Sequence, residues 1–178
     1  FVGTAFQEFL PGTTWTGTDS DFFWSTNYRG STPQSRLFFT TNFNITGLTY
    51  DPIRYTDGST WTDFQPIIAD NPPSAAQSIL CQAEIVIPYY GRLLALNTWE
   101  GTTAGTFANA VNIFNRVRYS QIGSPIAVDA WRSDVFGKGG FIDAPTNEAI
   151  ISAIYFKNTL IVYFERSTWQ LRYVGEYG

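Results

Sequence analysis

Three short triplets, each an apolar residue followed by Arg-Tyr, recur along this chain: Ile53-Arg54-Tyr55, Val117-Arg118-Tyr119 and Leu171-Arg172-Tyr173. Their arginines stand 64 and 54 residues apart. Repetition at this spacing constrains the fold strongly, because each copy of such a unit buries its apolar face against its neighbours.

A strand-like apolar run precedes each triplet, at 35–43, 91–99 and 158–169. The runs share a leucine, at Leu37, Leu93 and Leu160, and the gaps from leucine to arginine are 17, 25 and 12 residues. Two of the runs follow a further strand. "EIVIPYYG" leads into "RLLAL" through Tyr-Gly, and "AIISAIYFKN" leads into "TLIVYF" through Lys-Asn. Short apolar or alternating runs split by turn residues read as β-hairpins. The stretch 19–41 reads as the same hairpin with a longer loop carrying Gly30 and Pro33. The repeated unit is then strand, turn, strand, variable loop, and an outer strand ending in Arg-Tyr. Loop length is free to vary because closure entropy rises slowly with length.

The expected fold is all-β, with antiparallel sheets arranged as β-propeller-like blades at about 20–64, 76–131 and 138–178. A β-sandwich is the alternative, since many short strands with turn signals fit it equally well. Residues 1–178 form a single all-β domain or a segment of a larger propeller, because three units are fewer than the four blades of a closed one. The start at Phe1 and the absence of methionine suggest a segment of a longer or processed polypeptide. Only 73–80 and 106–114 admit a short helix.

On a strand, an apolar-Arg-Tyr triplet puts its outer members on one face and its arginine on the other. Ile53 and Tyr55 are expected to pack on the neighbouring unit, with Arg54 reaching a carboxylate or carbonyls near the outer edge. The functional counterpart is a ligand clamp made by the three arginines. After the first triplet, "YTDGSTW" resembles the Asp-box of sialidase-like propellers through Asp57, Gly58, Thr60 and Trp61, although nothing separates Asp57 from Gly58. Such a box is a turn device: the Asp accepts backbone N–H bonds, Gly takes a positive φ, and Trp covers the hairpin.

Chemistry is narrowed by what is missing. The chain has no histidine, which removes His-based metal sites and Ser-His-Asp or Cys-His machinery. Its one cysteine, Cys81, cannot form an internal disulfide and reads as a buried small residue. A net charge of −4 argues against a basic nucleic-acid-binding domain. No apolar run reaches the length of a membrane-spanning helix, so no stable membrane insertion is expected. A glycosidase would need paired carboxylates, and the richest stretch holds Asp129, Asp134, Asp143 and Glu148, with Trp99, Trp131 or Tyr89 to stack on a sugar. The structural counterpart makes Asp143 and Asn147 turn residues around Pro145. "GKGG" at 137–140 lacks a following Lys-Ser/Thr pair and reads as a flexible loop. "NIT" at 44–46 matches a glycosylation sequon but suits a strand or turn.

The tract 115–175 resembles blades of the tail tubular or nozzle proteins of short-tailed phages. The matches are Arg116, Arg118, Ser120, Gly123, Pro125, Trp131, Gly139, Gly140, the "LIVYF" strand and Ser167-Thr168-Trp169. Ser124 stands where an acidic residue is usual in such blades. The likeness covers about 60 residues well and the first unit loosely. It implies a structural component of a virion tail: a homo-oligomeric ring docked to other tail or neck proteins, with DNA passing through without sequence-specific binding. No catalytic, cofactor or metal site is expected. The alternatives are a carbohydrate-binding or glycan-cleaving propeller domain, and an adhesion or scaffold domain of a bacterial surface protein.

Overall fold

A computed structural model of the chain describes residues 14–31, 36–44, 50–70, 77–102 and 108–175. The described residues hold twelve strands and no helix. The fold is all-β, with three antiparallel sheets. The first contains β1 (Phe23–Arg29), β2 (Arg36–Asn42), β3 (Ile53–Thr56) and β4 (Trp61–Phe64). The second contains β5 (Ile67–Asp70), β6 (Gln77–Tyr89), β7 (Arg92–Gly101), β8 (Val111–Tyr119) and β9 (Gly140–Asp143). The third contains β10 (Ile150–Phe156), β11 (Thr159–Phe164) and β12 (Thr168–Leu171). Within each sheet the strands follow one another in sequence order.

All three expected hairpins are present, as β1–β2, β6–β7 and β10–β11. The β6–β7 turn places Tyr90 at φ 46° and Gly91 at φ 73°. Positive φ at both central residues matches the twist of the flanking strands. Each triplet follows its hairpin, on β3, β8 and just past β12.

Several expectations need correction. Residues 77–80 of the first proposed helix belong to β6, and 111–114 of the second belong to β8. The rest of the first, and 106–107 of the second, lie outside the described residues. The triplet strands β3 and β8 are not outermost, because β4 and β9 pair beyond them. β5 falls before the expected second unit, and β9 falls inside the expected third unit although it closes the second sheet.

Apolar clusters lie on both faces of the second sheet. On one face Val86, Leu93 and Ala95 pack with Tyr28, Leu37, Phe39 and Ile53 of the first sheet. On the other, Ile85, Ile87, Leu94 and Leu96 pack with Ala153, Leu160 and Val162 of the third. β6 and β7 are therefore near-continuous apolar runs, as strands covered on both faces must be. Each Val, Leu, Ile or Phe side chain among them contributes about 1.5–3 kcal/mol on burial.

The last two hairpins superpose residue for residue from their turns. Tyr89 pairs with Arg92 as Phe156 pairs with Thr159, and Ile87 with Leu94 as Ile154 with Ile161. Val86, Leu93 and Ala95 thus correspond to Ala153, Leu160 and Val162. Each set faces the preceding sheet. The third sheet stacks on the second as the second stacks on the first.

Tyrosine hydroxyls fasten these contacts. Tyr28 on β1 donates to the carbonyl of Gly91, in the turn of the second sheet, at 2.7 Å. Tyr89 on β6 reaches carbonyls of the third sheet: Leu171 at 3.0 Å and Asn158, in that sheet's turn, at 3.2 Å. It also accepts the Tyr173 N–H at 3.2 Å. Irregularities in the second sheet's pairing, beside Gln82 and Asn97, re-aim two more side chains. Gln82 Nε2 donates to carbonyls of Asn42 and Asp51 at 2.8 and 3.0 Å, and Asn97 Nδ2 to that of Ile150 at 3.1 Å. Removing either hydroxyl, by Tyr28→Phe or Tyr89→Phe, should lower stability by about 1 kcal/mol in urea unfolding. Unchanged midpoints would show that the hydroxyls do not fasten the sheets.

Candidate functional site

The repeated arginines are the first candidates, and they do not converge. Arg54 is buried, with Nε 2.9 Å from Asp63 Oδ1 on the adjacent strand β4. Its guanidinium lies 4.0 Å from the centre of the Trp15 ring. Ile53 and Tyr55 face the second sheet, as expected of the triplet. Arg118 makes two bonds to Glu100, at 2.7 and 2.8 Å, in the bidentate geometry that suits guanidinium and carboxylate. Arg116 adds a third bond to Glu100 at 3.1 Å and two to Asp143 at 2.6 and 2.7 Å. Hydrogen bonding to Arg116 holds the Asp143 carboxyl below its usual range.

The third triplet departs from the other two. Leu171 pairs with Leu160 and packs towards the preceding sheet, whereas Val117 packs towards the following one. Arg172 is exposed. Arg118→Ala should therefore cost about 3 kcal/mol by leaving Glu100 underpaired, whereas Arg172→Ala should cost less than about 0.5 kcal/mol. Equal costs in chemical denaturation would contradict this division.

The carboxylates expected of a sugar-cleaving site are spread over separate structural bonds. Asp129, Asp134 and Asp70 surround Arg132, at 3.4, 2.6 and 2.6 Å. Arg132's hydrogen bond pulls Asp134 down to about 2. Glu148 accepts the Arg166 backbone N–H at 2.8 Å. Neither Trp131 nor Tyr89 offers an open stacking platform. Trp131 is 1% exposed, with Nε1 donating to the Pro125 carbonyl at 2.8 Å, and Tyr89 is the buried fastener described above. Trp99 is half-buried on β7. Among the described residues no group of three His, Cys, Asp or Glu side chains is placed to hold a metal ion.

The remaining motifs act locally. Asp57 accepts N–H bonds from Ser59 and Thr60 at 3.0 and 3.5 Å, Gly58 takes φ 102°, and the Trp61 ring meets Phe38 edge-on at 6.1 Å. This is the expected turn device, at the β3–β4 hairpin. In "GKGG", a side chain on Gly139 would lie 2.6 Å from the Trp131 backbone, so Gly139 marks a close backbone approach, whereas Gly137 has open space around it. Cys81 is buried, and burial pushes its thiol up. Asn44 is also buried, donating to Thr16 Oγ1 at 2.9 Å, while Ile45 and Thr46 lie outside the described residues.

Burial also pushes the Glu84 carboxyl up, partly offset by its bond from Asn97 Nδ2 at 2.5 Å. A raised carboxyl pKa means that the folded state holds its proton more tightly than the unfolded chain. The penalty is absent below the unfolded value and grows as pH rises through the folded one. Glu84→Gln should therefore raise the melting temperature at about pH 8, with the gain vanishing near about pH 4. A variant less stable at the higher pH would contradict the assignment.

One surface stands out once the hairpins are superposed. Ile87, Tyr89, Leu94 and Leu96, which bury against the third sheet, correspond to Ile154, Phe156, Ile161 and Tyr163. Of these, Ile154 is 57% exposed, Phe156 61% and Tyr163 40%. The face between them is completed by Ser152, Thr159, Thr168 and Gln170, and the Lys157 ammonium lies over the Phe156 ring, 5.5 Å from its centre. Sequence reading located this hairpin but not its open side, because alternating apolar residues look the same whether one face or both are covered.

Comparison of the chain with protein-family models, with characterised proteins and with solved structures finds no match.

Proposed function

We propose that the chain is a structural assembly unit, in which a second copy of the chain covers the outer face of the third sheet within a homo-oligomeric ring. The supporting observation is the hairpin correspondence: residues equivalent to a buried inter-sheet face remain apolar and open on the last sheet. Apolar residues at those positions have no use in a sheet that faces only water. The Lys157 cation over Phe156 suits a second copy in particular, since a chain of net charge −4 meets no like-charge repulsion at a face edged by a positive group.

In this proposal the three sheets act as propeller-like blades. The phage tail nozzle, to which residues 115–175 are similar, supplies the setting: a virion tail ring docked to other tail proteins, with DNA passing through its lumen. A chain with a net charge of −4 would line such a passage without holding DNA. Arg54, Arg116, Arg118 and Arg132 work with their carboxylates as internal brackets and are given no chemistry.

Sedimentation velocity tests the assembly. The chain should associate reversibly at about 100 µM or below. Ile154→Glu, which puts a charge at the centre of the open face, should leave it monomeric with an unchanged fold. A wild-type chain that stays monomeric at that concentration, or an Ile154→Glu variant that associates equally well, would rule the proposal out.

A further inference from the structure

The hairpin turns of the three sheets meet at one end of the stack. Tyr28 bonds the carbonyl of Gly91 in the second turn, and Tyr89 and Tyr90 bond that of Asn158 in the third. Charge is divided unevenly between this end and the other. Arg29 closes β1, Arg36 opens β2 and Arg92 opens β7. Lys157 sits in the third turn, and Arg172 follows β12. Lys138 lies beside Arg92, whose Nη1 is 3.5 Å from its carbonyl. These are six of the chain's 11 Lys and Arg residues.

Among the described carboxylates only Asp57, in the β3–β4 turn, joins them, and it accepts bonds from Ser59 and Thr60. Asp19, Asp21, Glu148 and Glu165 lie beside the opposite strand ends. The rest sit in the Arg54, Arg116, Arg118 and Arg132 brackets or, for Glu84, along β6 against Asn97. All 11 cations are described, and only two acidic residues, Glu8 and Glu176, are not. Wherever those two lie, the turn end stays positive. Six cations set against Asp57, Glu8 and Glu176 together leave a side-chain charge of +3.

The register concentrates part of this charge. Arg29 and Arg36 are direct partners across β1 and β2, and both are exposed. Like charges at directly opposed positions repel, and an anion shared between them reverses that cost. Beside them a cleft of about 300 Å³ is lined by Arg29, Lys157 and the exposed rings of Tyr90 and Tyr155.

We propose that the turn end docks an acidic segment of a partner protein, with Arg29 and Arg36 holding its carboxylates. The planar arginine fork matches a carboxylate in two parallel bonds. Arginine beside exposed tyrosine is the composition of protein–protein contact centres. A nucleic-acid strand fits less well, because it carries a charge at every phosphate and would run from this end onto the acid-rich remainder. The carboxylates of a protein segment can be confined to the positive end. This surface meets the outer face of the third sheet only at Lys157, so the inference does not rest on the assembly proposed above.

Fluorescein-labelled deca-glutamate serves as the probe, followed by anisotropy and by amide NMR shifts, with labelled deca-thymidylate as its nucleic-acid counterpart. Deca-glutamate should bind saturably at ~20 mM salt and about tenfold more weakly at ~150 mM, where the screening length is about 8 Å. Arg29→Glu should weaken it at least about fivefold. Arg166→Glu makes the same change in net charge at the opposite end and should weaken it less than about twofold. Arg29→Glu also turns a like-charge pair into an opposite-charge one, so its melting temperature should hold or rise, separating loss of binding from loss of folding. Shifts should fall on residues 28–30, 36–38, 90–92 and 157–158. The proposal is overturned if deca-glutamate fails to saturate at the lower salt, or if Arg166→Glu weakens it as much as Arg29→Glu. Shifts confined to the opposite end, or deca-thymidylate binding as tightly, would overturn it as well.

Discussion

The architecture rests on a central sheet that must be covered on both faces. β6 and β7 alternate residues towards the first sheet, such as Val86, Leu93 and Ala95, with residues towards the third, such as Ile87, Leu94 and Leu96. Neither face can meet water without losing the burial energy of a whole cluster. Sheets formed by local hairpins therefore have to stack, and chain order decides which sheet covers which face. The pairing within each sheet joins neighbours in sequence, so stacking carries the long-range organisation.

Apolar contact alone would leave that stack free to slide, because the hydrophobic effect has no direction. The polar fasteners supply direction. Tyr28 and Tyr89 each aim a hydroxyl at the hairpin turn of the following sheet, which fixes one end of the contact. Gln82 and Asn97 bind carbonyls of the flanking sheets farther along the strands. Two fixed points per interface leave one register available. The brackets Arg54–Asp63 and Arg118–Glu100 act within sheets and tie β3 and β8 to their neighbours, the second of them with both partners largely buried. Buried ion pairs add little net stability against apolar alternatives, but an unpaired member is costly, and that asymmetry selects one pairing.

The hairpins were legible in the sequence because their signals are local: apolar runs split by Tyr-Gly or Lys-Asn, and an Asp-Gly turn beside Trp61. The arginine triplets were legible as repeats and led to the right strand of each unit. Their register was not legible. Leu171 faces the opposite way from Val117 because the third strand slides along its ladder, and a one-residue slip exchanges the two faces. β5 and β9 were missed as members of the second sheet. They are four residues each, and only the position of β6 and β8 makes them strands. The fate of Trp131 was equally hidden. A tryptophan among acidic residues fits a sugar platform as well as a core, until the Pro125 carbonyl and the Gly139 approach enclose it.

The correspondence between the last two hairpins also bears on how such a stack ends. A sheet that closes a stack needs a polar outer face, as terminal units of repeat proteins have. The first sheet approaches this, with Ser25, Asn27 and Arg29 exposed along β1. The third sheet does the reverse, keeping Ile154, Phe156 and Tyr163 open. The two ends of the stack therefore differ in chemistry. A contact that joined the third sheet of one copy to a different surface of the next would be heterologous, and heterologous contacts close into rings or grow into filaments. A contact between two third sheets would stop at a dimer. The apolar character of that face permits both, so the angle at which its residues meet their cover, more than their hydrophobicity, sets the form of the assembly.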